Sequence, residues 1–156
     1  MADFNPDYVT AIQEVLGAAP YFKLLGMEVV DLKPGCSTLR LNVEEKHLQP
    51  FGQAHGGVVG SILDASTFWA VFPVLEPGQS MTTADLKVNY LAPVLAGQTL
   101  IATSETIRVG RTLGLAEGRL EEEASGRLVA FATSTLMVLP GPPPAELAAL
   151  PPKFKE

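Results

Sequence analysis

The sequence has one cysteine, Cys36, so an internal disulfide framework is impossible, and a lone thiol fits a reducing compartment such as the cytoplasm. Histidine is almost as scarce. His47 and His55 are the only two, no H-E-x-x-H or C-x-x-C pattern occurs, and a metal site is therefore not expected. No lysine- or arginine-rich run exists. With 11 basic against 17 acidic side chains the formal charge is −6, so a sequence-independent grip on nucleic acid is not expected and any anionic ligand needs a local basic patch. The opening MADFNPDYVT lacks the basic-then-apolar order of a secretory signal, and no G-x-S-x-G serine elbow is present.

What is present is apolar: 47% of 156 residues, enough for one domain with a real core. The run from Gly56 to Leu75 is long enough to suggest a membrane span. Asp64 at its centre would cost about 2.5–3.5 kcal/mol on insertion, and no basic residue flanks either end. The run reads instead as a buried helix of a soluble domain, with no membrane partner.

Asn5-Pro6-Asp7 supplies an N-cap, a first-turn proline and a first-turn acid, and Val9, Ile12, Val15 and Leu16 then repeat at helical spacing up to Gly17. From Met27 the period is two, through Val29 and, after the Pro34-Gly35 turn, Leu39, Leu41 and Val43, which predicts a hairpin. Residues 44–54 read as a loop. The long helix begins near His55 and is apolar on nearly every side, so other structure must enclose it. Four further period-two segments follow, near 81–91, 98–108, 111–122 and 127–139. The order predicts an α+β domain over residues 1–140, in which six antiparallel strands curl around one long helix, with a short helix before them. The proline-rich segment 141–156 is expected to be an arm or disordered.

This layout carries specific residues: Gln49, the His55-Gly56-Gly57 start of the long helix, Asp64 nine positions after His55, and a strand running from Thr83-Ala84-Asp85 to Asn89-Tyr90. Over residues 20–139 it resembles the hotdog-fold acyl-CoA thioesterases of the phenylacetic-acid-degradation type. The resemblance implies hydrolysis of a coenzyme A thioester without metal or other cofactor, by subunits that pair as dimers and often as dimers of dimers. It also implies that Asp64 is the catalytic carboxylate, as general base or as nucleophile. Gly56 would polarise the thioester carbonyl through its N–H, Gln49 would hold the carbonyl or the water, Thr83 would assist water placement, and His55 would position the segment. Asp64 stands where some relatives have glutamate, one methylene longer.

Elementary chemistry agrees with these roles. A thioester carbonyl gains negative charge on oxygen when attacked, and a helix N-terminus offers free N–H groups and a positive dipole end. Gly56 and Gly57 let a substrate approach closely. Eight residues separate Gly56 from Asp64, so at about 1.5 Å per residue one helix cannot bring both to one carbonyl. The expected active site therefore spans two copies of the chain. A Ser61/His55/Asp64 triad fails on the same helical geometry. Arg108, Gly110, Arg111 and Thr112 form a basic turn suited to phosphate or simply closing a hairpin in solvent, and Phe68, with Phe51, Trp69 and Phe72, is a candidate for the acyl pocket or simply for the core. Two alternatives remain: a non-catalytic hotdog module that binds acyl-CoA or assists assembly, and a hotdog dehydratase or hydratase.

Overall fold

The computed structural model describes residues 3–155 and begins with two helices laid on one edge of a sheet. In α1 (Pro6–Ala18) the Asn5 side chain accepts from the Asp7 N–H at 3.1 Å, and Tyr8, Ile12 and Leu16 are buried at helical spacing. The next helix, α2 (Pro20–Leu25), is an addition to the sequence reading: six residues are too few for a period to register.

Six strands follow: β1 (Met27–Lys33), β2 (Cys36–Asn42), β3 (Gln79–Tyr90), β4 (Thr99–Val109), β5 (Leu113–Glu122) and β6 (Leu128–Pro140). They form one antiparallel sheet in the order β1-β2-β4-β5-β6-β3, wrapped around α3 (Gly56–Val71). This is the hotdog fold. The 44–54 segment is more ordered than a plain loop, with a 3-10 turn over Glu45–His47 and a bridge between Leu48 and Ala54. Segment Gly56–Val74 is long and apolar enough to cross a membrane, yet most of it is buried against the sheet. A buried serine chain fixes how α3 sits: Ser66 Oγ lies 2.7 Å from Ser104 Oγ, and Ser37 Oγ donates to the Ser66 carbonyl at 2.6 Å.

The two sheet edges differ. β1 is covered by α1, whose Gln13 Nε2 donates to the Val29 carbonyl at 3.0 Å. β3 pairs only with β6, so its other side is open along a twelve-residue strand. The β3–β6 register shifts between Thr83 and Asp85, a bulge at Ala84 that reverses the inward parity of the strand. Met81 and Thr83 turn toward the helix before it, and Leu86 and Val88 after it.

The proline-rich tail does not join the sheet, but it is not a free arm. It contains the short helix α4 (Ala145–Ala148) and returns to the N-terminus, where the Asn5 N–H donates to the Lys153 carbonyl at 2.9 Å and Phe4 bridges Phe154. Composition alone could not show this, because the ordering contacts are with residues about 150 positions away in sequence.

Candidate active site

The site begins at the N-terminus of α3. His55 is its N-cap: Nδ1 accepts from the Gly57 N–H at 2.8 Å, its own N–H donates to the His47 carbonyl at 2.8 Å, and its carbonyl takes the Val58 N–H at 2.9 Å. The Gly56 N–H has no partner among the described residues, which leaves it as the donor free for a ligand. Each glycine has a packing reason as well. A Cβ on Gly57 would meet His55 Nδ1 at 2.9 Å, and one on Gly56 would meet the Tyr90 ring at 3.3 Å.

His47, which receives the His55 N–H, is 1% exposed, and its Nδ1 accepts from the Glu44 N–H at 2.9 Å. Burial, reinforced by Lys46, holds its pKa below the ordinary histidine value of 6.5 against a smaller opposing pull from Glu44. The neutral ring thus keeps its acceptor nitrogen, and the loop beneath His55 stays closed. Gln49 lies on this loop with Oε1 turned onto the Phe51 N–H, so its amide nitrogen is the end left for a ligand.

Asp64 sits two turns along α3. Its carboxylate, expected to be enclosed in apolar surroundings, is only partly buried, and Oδ1 accepts from Thr83 Oγ1 at 2.8 Å. The neighbours that could have tied it down structurally do not touch the carboxylate. Thr67 Oγ1 donates to the Leu63 and Asp64 backbone carbonyls, and Ser61 Oγ donates to the Gly57 carbonyl while lying 2.7 Å from Tyr21 Oη. The positions of α3 that are not buried are Gly56, Gly57, Gly60, Ser61, Asp64, Ala65 and Phe68. At 100° per residue they fall on one face, on the side of the open β3 edge.

The basic turn lies at the other end of α3 from Gly56. Leu113 pairs with Met137, which pairs with Thr82, and Gly114 pairs with Leu136, which pairs with Thr83. The Gly110–Thr112 turn is thus roughly two strand spacings, about 10 Å, from the Asp64–Thr83 pair. Arg108 and Arg111 are exposed there and make no ion pair among the described residues. The aromatic residues are not brought together as one pocket. Phe51 is 89% exposed on its loop, whereas Phe68 stacks on Phe72 at 6.1 Å and meets Trp69 edge-on at 5.3 Å.

A cavity of about 500 Å³ opens beside Gly56, walled by Val59, Tyr90, Pro93 and Val129. A larger one of about 770 Å³ lies under the tail, against Phe72, Leu75 and Lys153, and of the candidate residues includes only Phe72.

A free amide on a helix start, a carboxylate eight residues later and a hydroxyl on the neighbouring strand are donors and an acceptor for acyl transfer. A model of the thioesterase superfamily matches residues 51–129, just over half of the chain, including Gly56, Asp64 and Thr83. The chain belongs to the thioesterase superfamily. Thioesterases are hydrolases of thioester bonds, and human acyl-coenzyme A thioesterase 13 is 27% identical over 120 residues, 76% of this chain and 85% of that protein. The 1,4-dihydroxy-2-naphthoyl-CoA hydrolase of Listeria monocytogenes is 29% identical over 114 residues, 73% of this chain and 91% of its own. The PaaI protein of the E. coli phenylacetic acid degradation operon superposes with a TM-score of 0.79 at 18% identity, covering 90% of this thioesterase and 99% of its own chain, a likeness of fold.

Sequence reasoning did not single out Tyr90, Tyr21 or His47 as parts of this site. Tyr90 enters the sequence reading only as the end of the Thr83–Tyr90 strand that carries the resemblance, with no role of its own; the Gly56/Gly60 spacing of four, which leaves a helical groove that a ring can fill, is the signal that could have given it one.

Proposed function

We propose that this thioesterase hydrolyses acyl-coenzyme A thioesters at two equivalent sites, each shared by two copies of the chain. The observation that carries the reading is the Asp64–Thr83 hydrogen bond of 2.8 Å on the one unburied face of an otherwise buried helix. A half-buried carboxylate held by a hydroxyl has one oxygen oriented and the other free for water. About 12 Å of helix separates it from the Gly56 N–H, so a second copy must supply the donor. The small residues Gly57, Gly60, Ser61 and Ala65 would allow a second α3 to approach closely, and the open β3 edge would extend the sheet into the partner.

In the proposed cycle the Gly56 N–H of one copy receives the thioester oxygen, with the Gln49 amide beside it. Asp64 of the other copy takes a proton from water as that water attacks the carbonyl carbon, or attacks the carbon itself to form a mixed anhydride that water then hydrolyses to the free acid. As the tetrahedral intermediate collapses, the C–S bond breaks and coenzyme A leaves as a thiolate. Arg108 and Arg111, with Gly110 and Thr112, would meet its phosphates. The acyl group remains open between aromatic and aliphatic classes. With Cys36 free and exposed, the proposed working compartment is the cytoplasm.

The test is free-thiol release from a panel of acyl-CoAs, with Asp64→Asn as the diagnostic variant. We expect Asp64→Asn to keep the melting temperature within a few degrees and to lose nearly all turnover. Hydration without thiol release would point to the hydratase, and binding without either would point to the module. Near-parental hydrolysis by folded Asp64→Asn protein removes the carboxylate from the mechanism. Label in the Asp64 side chain after single turnover in ¹⁸O-water shows covalent attack, since it enters there only when water opens an anhydride at the Asp64 carbonyl.

A further inference from the structure

A donor on glycine is only as well aimed as its neighbours make it, because glycine itself has little conformational preference. At Gly56 both flanking peptide units are tethered. On the preceding side the His55 N–H and carbonyl are taken by His47 and Val58, as described. On the following side the Gly57 N–H donates to His55 Nδ1 at 2.8 Å, and the Gly56 carbonyl accepts from the Tyr90 hydroxyl at 3.1 Å. Tyr90 is therefore the only side chain from another element hydrogen-bonded to the Gly56–Gly57 unit among the described residues.

Tyr90 reaches this position because of the Ala84 bulge. With Met81 and Thr83 facing the helix, unbroken alternation would turn Asp85, Lys87 and Asn89 inward and Tyr90 outward. The extra residue exchanges the two faces, so Leu86, Val88 and then Tyr90 follow the helix side. One bulge thus sets two contacts at once: Thr83 onto Asp64 on one side of it, and Tyr90 onto Gly56 on the other. The ring lies 3.3 Å from the place of a Gly56 Cβ, and its hydroxyl lies 3.8 Å from the place of a Gly60 Cβ.

We infer that Tyr90 is a positioning residue of the thioesterase reaction, which holds the Gly56 carbonyl so that the adjacent Gly56 N–H points into the cavity beside it. The inference rests on the proposed function, since it gives that N–H the thioester oxygen. The conformational freedom of the glycine is then lost on folding rather than at the transition state, which is where preorganised donors act.

Tyr90→Phe keeps the ring against Gly56 and removes only the hydroxyl. Its kcat for acyl-CoA hydrolysis is expected to fall about three- to tenfold, the weight of one hydrogen bond, with KM within about twofold of the parent. The bell of the pH–rate profile should keep its limbs, because a positioning hydroxyl transfers no proton. Amide hydrogen exchange at Gly57 should accelerate in the same variant, an outcome that a ring serving only as packing would not give. Parental kcat together with unchanged Gly57 exchange overturns the role of Tyr90 while leaving thioester hydrolysis standing. A parent protein that releases no thiol from any acyl-CoA overturns the functional reading first, and this inference with it.

Discussion

A phenol hydroxyl buried without a partner costs free energy in the folded state, and Tyr8 carries one: the residue is 2% exposed and its hydroxyl has no hydrogen bond among the described residues. Burial pushes its pKa from 10.0 up to about 12. The native state thus holds the proton more tightly than the unfolded chain does. The linked stability is complete below pH 10 and is lost as pH rises toward about 12. Tyr8→Phe should raise the melting temperature by about 2–4 °C near neutrality, and should remove that alkaline loss; thermal melts of both proteins from pH 7 upward check it. A lower melting temperature for Tyr8→Phe would mean that the hydroxyl has a partner in solution. The glycines illustrate how far a residue can be read from sequence. That Gly56 and Gly57 need small volume was legible from the helix start, but the groups that require it, the Tyr90 ring and the His55 imidazole, were not. One of them comes from 34 residues away.

At the scale of elements, caps and turns were legible because their causes are local. Asn5 and His55 lie within three residues of the N–H groups they cap, and β3 to β6 begin and end within two residues of the segments expected from alternation. The tail stays out of the sheet as expected, but the contacts that order it are tertiary and have no local signal. Lys153 Nζ donates to the Leu75 carbonyl at 2.6 Å and lies 3.5 Å from that of Phe72, so it satisfies acceptors at the C-terminal end of the α3 segment. Desolvation lowers its pKa, with Glu76 opposing. Lys153→Met should cost about 1–2 kcal/mol, a fall of several degrees in melting temperature, with hydrolysis at 25 °C unchanged. Unchanged melting would mean that the tail is not held by this contact. The bulge at Ala84 is the other element-scale feature invisible to periodicity, because strands 79–90 and 128–140 must first be in register before an extra residue can be defined.

At the scale of the whole molecule, one hotdog subunit carries one half of each of the two proposed sites. The Gly56 N–H is at the start of α3, the Asp64–Thr83 pair is at its middle, and the Arg108–Thr112 turn lies toward its far end. If the halves combine between copies, two inactive variants should repair each other. Mixing and refolding Asp64→Asn with Gly56→Pro, which removes the amide donor at a first helical position that accepts proline, gives heterodimers in which one site has both defects and the other has neither. About a quarter of parental turnover should return, from half the dimers with one working site each. Turnover no higher than that of the separate variants would reject a site shared between copies.

The sequence by itself determined the two long helices and the six strands, that α3 would be enclosed, and which acid, glycine and hydroxyl-bearing residues could serve a thioester, because periodicity, caps and spacing act within one or two turns of chain. Only the tertiary structure decided that Thr83 is the partner of Asp64, that a single bulge sends Tyr90 to Gly56, that the uncovered face of α3 lies beside the one open sheet edge, and that the tail folds back onto the N-terminus. Each of these depends on strand register and on contacts between residues far apart in sequence, whose closure is settled by the packing of the whole core rather than by local preference.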